Sequence, residues 1–128
     1  MVDSGDTRGD GTVPDLEVPN LARMYDYYLG GSHNFAVDRA AADRALEAAP
    51  HARTFALANR AFLSRVVRRL VADGIDQFLD LGSGVPTVGN VHEIAQAVDP
   101  RVRVAYVDIE PVAVMVARTC WPTTPTPP

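Results

Sequence analysis

Three stretches of this chain carry residues whose types and spacing could do chemistry. The first is Phe78-Leu79-Asp80-Leu81-Gly82-Ser83-Gly84-Val85-Pro86-Thr87. Two glycines one residue apart let the backbone leave an apolar run through a tight turn, and they let a ligand approach bare main chain. The second is Asp108, at the end of the apolar run Val102 to Val107 and about twenty-odd residues past the glycine turn, the distance of a dinucleotide fingerprint. An acidic residue there can accept both hydroxyls of a ribose. The third is Asn59-Arg60, where a guanidinium could hold a carboxylate bidentately, such as that of an amino-acid-like cofactor.

The glycine turn departs from Gly-x-Gly-x-x-Gly, because position 87 is Thr and position 86 is Pro. A pyrophosphate needs close main-chain approach and a free helix N-terminus, so losing the third glycine weakens a dinucleotide reading. Asp80 at the strand tip would repel pyrophosphate and could hold an ammonium, directly or through water. The plain structural readings stand beside these. The glycine pair can be only a strand-to-helix turn, Asp108 can be an N-cap ahead of Pro111, and Arg60 can be a surface arginine. Glu110 is a fallback diol ligand or a first-turn acid favoured by the helix dipole.

Another stretch, Tyr25-Asp26-Tyr27-Tyr28-Leu29-Gly30-Gly31-Ser32-His33-Asn34-Phe35, is harder to place. Tyr25 and Tyr28 have helical spacing and read as core. Gly30-Gly31 could hinge a lid over a ligand, with His33 as a general base or simply a solvated histidine. No second His or Cys lies at metal spacing from His33, His51 or His92.

These residues need elements to position them. Helical periodicity runs from Pro19-Asn20 to Gly30, from Asp38 to Ala49, and from Ala52 to Ala72. In the last of these, Phe55, Ala58, Phe62, Val66 and Leu70, with Leu63, Val67 and Val71, define the expected apolar stripe. Ile75 to Leu81 and Arg101 to Val107 read as strands, joined by a helix over about Asn90 to Val98 that Asn90 and Glu93 would cap as a box. Pro111 opens a last helix. Two parallel strands joined by a helix take a right-handed crossover. The expected division is a disordered tail over 1–18, a helical cover over 19–74, a first βαβα unit over 75–119 and a Thr/Pro-rich tail over 120–128.

Composition narrows the function classes. With 128 residues, 47% apolar and 22% charged, the chain suits one modest globular domain. A net charge of −4 argues against a general nucleic-acid surface. No apolar run reaches the roughly 20 residues of a membrane helix. A lone cysteine, Cys120, has no internal partner and suits a reducing cytoplasm. A doubly wound sheet normally has five or more strands, and only two are legible. The expectation is therefore a fold truncated after its second strand, with an open sheet edge available for self-association.

With these residues in view, the chain resembles an actinobacterial S-adenosyl-L-methionine-dependent methyltransferase family formerly known only as a domain of unknown function. The resemblance rests on Arg23 to Gly31 with His33-Asn34-Phe35 and Asp38-Arg39, on Asn59 to Leu63, on Phe78 to Glu93, and on Tyr106-Val107-Asp108 with Pro111. It implies an α/β, Rossmann-like class I methyltransferase fold preceded by N-terminal helices. It implies that S-adenosyl-L-methionine is the cofactor, that Gly82 and Gly84 wrap its methionine portion and that Asp108 holds the ribose, with Ser83 and Ile109 assigned to the same cofactor site. Asp80, Arg60, Gly30, Gly31 and His33 are assigned to the same site, and the methyl acceptor is left unidentified. The rival readings are half of a NAD- or FAD-dependent oxidoreductase and a non-catalytic nucleotide-binding module.

Overall fold

The computed structural model describes residues 15–120. The expected N-terminal tail therefore lies largely, and the Thr/Pro-rich tail almost wholly, outside the described residues. The elements run α1 (Leu21–Tyr28), α2 (Ala36–Ala48), α3 (Ala52–Ala72), β1 (Gln77–Leu81), α4 (Val91–Gln96), β2 (Arg103–Val107) and α5 (Pro111–Cys120).

Local chemistry sets the helix ends. Asn20 caps α1, its Oδ1 accepting the backbone N–H groups of Ala22 at 2.8 Å and Arg23 at 3.3 Å. At the other end Gly30 has φ +78°. Its N–H donates to Tyr27 O, and the Gly31 N–H donates to Asp26 O. That pair of bonds is a Schellman stop, which needs a left-handed residue at its first position. The same stop closes α3: Gly74 has φ +96°, and its N–H and that of Ile75 donate to Val71 O and Leu70 O. At α4 the Glu93 carboxylate accepts the Asn90 N–H at 2.7 Å, as expected of the box, while the Asn90 amide bridges back to both backbone groups of Thr87.

β1 and β2 pair in parallel, in register from Gln77 opposite Arg103 to Leu81 opposite Val107. Alternation puts Phe78, Val104 and Tyr106 on one face, packed against a core of Val67 and Val71 from α3, Val91, Ile94 and Ala95 from α4, and Val102. Burying each such valine stabilises the fold by about 1.5–3 kcal/mol. Leu79 and Leu81 point to the opposite face and are 63% and 69% exposed.

The buried face of α3 differs from the expected stripe. Ala56, Leu63, Val67 and Val71 face inward, whereas Phe55, Phe62 and Leu70 are exposed. The apolar residues of this helix wrap more than one face, and contact with α1 and α4 selects which is covered. Helix α1 is tied to its neighbours by tyrosine hydroxyls: Tyr25 donates to Ala56 O and Tyr28 to Ala42 O, each at 3.3 Å.

Candidate cofactor-binding site

The β1–α4 connection begins as an extension of the ladder. The N–H groups of Gly82 and Ser83 both donate to Val107 O, at 2.7 and 3.3 Å. Gly82 and Gly84 then take φ +69° and +72°, and a Cβ at either would meet nothing within 4 Å. Both glycines thus expose main chain to open space, in a backbone conformation that side chains avoid. The turn is pinned to β2 by Asp108, whose Oδ2 accepts the Gly84 N–H at 2.6 Å and whose Oδ1 accepts the Glu110 N–H at 2.8 Å. Each carboxylate oxygen offers two acceptor positions, so one on each is left for a further donor.

Around this turn lies a crevice of about 440 Å³, in the size range of small-ligand sites. Asp80, Gly82, Ser83, Gly84, Val85, Thr87 and Asp108 line one side, and Leu21, Ala22, Tyr25, Asn59, Arg60 and Leu63 line the other. Arg60 reaches across from α3, its Nη2 donating to Thr87 Oγ1 at 2.9 Å. Its Nε is buried with no hydrogen-bond partner among the described residues. Burial pushes the Asp80 carboxyl above the ordinary carboxylate range. The Arg60 charge pulls it partly back, and the Asp108 charge pushes it further up. An open glycine cradle, two carboxylates and a guanidinium with a spare buried donor fit a ligand carrying a diol, an ammonium and a carboxylate.

Of the residues singled out from sequence, the structure brings Asp80, Gly82, Ser83, Gly84, Asp108 and Arg60 together. It does not bring the others. Ile109 is 100% exposed and does not line the crevice, because the chain turns at Asp108 toward α5 and leaves the side chain outside. Gly30 and Gly31 form the helix stop rather than a lid hinge. A Cβ on Gly31 would stand 2.0 Å from Asp26 Oδ1, so glycine is required there for packing. His33 lies with Nδ1 3.0 Å from the Pro86 carbonyl. That oxygen can only accept, so Nδ1 carries the proton and the ring ties the 31–35 loop to the glycine turn; His33 does not line the crevice.

Sequence reasoning missed the buried acids that build the cover. Asp26 accepts the His33 N–H and the Asn34 side-chain amide, each at 2.8 Å. Asp38 accepts from Asn20 N–H, Phe35 N–H and Arg23 Nε, each at 2.9 Å. Glu110, on sequence a fallback diol ligand or a first-turn helix acid, accepts the Val112 N–H of α5 at 3.3 Å, is held by the Asn20 side chain and faces Arg23. The available signal was an acid at fixed spacing from backbone-rich polar loops, which names a donor set but not the fold that gathers it.

A parallel strand pair with a glycine turn, an acid at the end of the second strand and a crevice beside them is the first half of a Rossmann-like α/β fold. The family pattern described as S-adenosyl methyltransferase matches residues 10–126, and the chain belongs to that family. Two solved structures are similar. A "putative methyltransferase" from Thermobifida fusca YX is 49% identical with a TM-score of 0.81, covering 87% of this chain and 42% of its own. A DUF574 family protein from Streptomyces avermitilis MA-4680 is 40% identical with a TM-score of 0.80, over 87% and 43%. This chain therefore spans less than half the length of either. Among curated proteins none matches the sequence. Among the described residues no helix is long and apolar enough to cross a membrane.

Proposed function

We propose that the crevice binds S-adenosyl-L-methionine and serves a methyl transfer in the cytoplasm. The observation that carries this reading is that Asp80, Arg60, Asp108 and the Gly82–Gly84 turn share one crevice. Asp108 accepts the ribose hydroxyls on the carboxylate positions left over from Gly84 and Glu110. Asp80 faces the α-ammonium. Arg60 turns its unused Nε, with an Nη, to the α-carboxylate. The glycine turn gives the amino-acid chain a surface without side chains. The cofactor, when bound, supplies a methyl group already activated on a sulfonium, so the protein's share is positioning. No crevice residue is assigned as a base. An oxidoreductase half is less well supported, because Asp80 stands where a pyrophosphate would need donors.

Isothermal titration tests this. The chain is expected to bind S-adenosylhomocysteine and not NAD. Replacing Asp108 with alanine is expected to weaken S-adenosylhomocysteine by about tenfold or more, on the scale of lost charge-assisted hydrogen bonds. Binding of NAD in preference to the adenosyl-homocysteine ligand would overturn the assignment.

A further inference from the structure

We propose that Arg23 and Glu110 are positioning residues for the ribose end of the crevice, acting through Asp108 without touching the ligand. The inference rests on the reading of Asp108 as the diol acceptor. Arg23 is 1% exposed and Asp38 0% exposed, so a full ion pair lies inside the protein. A buried guanidinium is tolerated only where its donors are met. Arg23 Nε donates to Asp38 at 2.9 Å, Nη2 donates to Val18 O at 2.5 Å, and the Phe35 ring lies 5.4 Å from the guanidinium carbon. Nη1 stands 3.9 Å from Glu110 Oε1, and the Asn20 side-chain amide donates to the other Glu110 oxygen.

These contacts fasten Glu110 by its side chain to the α1–α2 cover. Its backbone N–H is one of the two donors that orient Asp108, the other being Gly84 N–H. Glu110 is thus held by the Asn20 amide, by the Val112 N–H donating to its Oε1 at 3.3 Å and by the Arg23 charge 3.9 Å away, while the Asp38 and Val18 contacts fix where that charge stands; Glu110 in turn orients the Asp108 carboxylate. Arg23 is absent from the crevice lining, so any effect on ligand must be transmitted. The arrangement ties the N-terminal helices to Asp108, from which they are remote along the chain.

The test compares two fragments of the ligand on the full chain. Adenosine carries the diol, and methionine carries the ammonium and carboxylate. Arg23→Lys keeps the charge but loses the fork, and Glu110→Gln keeps the shape but loses the charge. Each is expected to weaken adenosine about five- to tenfold while leaving methionine unchanged, and the double variant is expected to be no worse than the single ones. Equal losses for both fragments would mean a merely structural role and would overturn the inference. So would unchanged adenosine affinity, or additive losses in the double variant. If Arg23→Lys does not melt cooperatively, the adenosine–methionine split in Glu110→Gln decides alone. Should the unsubstituted chain bind neither adenosine nor S-adenosylhomocysteine, the cofactor reading itself fails. Should it bind them and the variants bind alike, only the relay fails.

Discussion

Asp80 lines the crevice at a cost to stability. Its carboxylate is partly withdrawn from water and lies near a second acid, so its charged form is disfavoured in the folded chain. With the folded-state pKa above the unfolded one, the folded state holds more protons between the two values, and stability falls as pH rises through that window. Asp80→Asn removes the penalty. The variant is expected to melt at a higher temperature than the parent at neutral pH, with the difference vanishing below the ordinary carboxylate range. The same variant is expected to bind S-adenosylhomocysteine less tightly, since the ammonium loses its counter-charge. A thermal melt series from acid to neutral pH, with and without ligand, checks both signs. Tyr106, opposite Asp80 in the ladder, has its phenol pushed up to about 12, chiefly by burial, and is therefore neutral throughout that series.

At the scale of elements, the cover is organised by caps and buried acids rather than by a large apolar core. Gly31 illustrates this. Adding a methyl there drives it into the Asp26 carboxylate, which is itself committed to the 33–34 loop. Gly31→Ala is expected to destabilise by about 1–3 kcal/mol, as overpacking does, and the loss should show in chemical denaturation. The α1 cap gives a milder effect. Asn20→Ala removes an acceptor for two helix N–H groups and a donor to Glu110. A loss of about 1 kcal/mol is expected from the cap alone. If the α1–Glu110 link also matters, the loss will exceed that of other caps, measured as the midpoint of urea unfolding.

At the scale of the whole molecule, the two-stranded sheet is covered on one face only. Leu79 and Leu81 of β1 and Val107 of β2 lie exposed on the other, and a strand pair leaves unpaired backbone groups at its edges. A bare apolar face beside an open edge favours association between copies. Sedimentation velocity is expected to show mass rising with concentration, and Leu79→Lys with Leu81→Lys is expected to return the chain to a monomer. The relatives of known structure are more than twice as long, and the uncovered face is a surface on which further elements of such a fold can pack.

The sequence by itself determined what neighbouring residues settle among themselves. Gly82 and Gly84 take positive φ because a sharp exit from a strand demands it, Gly30 and Gly74 stop helices for the same reason, and Asp108 falls at a strand end because the apolar run stops there. Only the tertiary structure decided which apolar face of α3 is buried, that Ile109 is fully exposed, and that His33 sits against the Pro86 carbonyl. It alone joined Arg23 to Asp38 and Asn20 to Glu110, the latter across 90 positions of chain. Periodicity and capping act within a turn or two of the backbone. A buried ion pair has no such local signature, because its partners are chosen by packing.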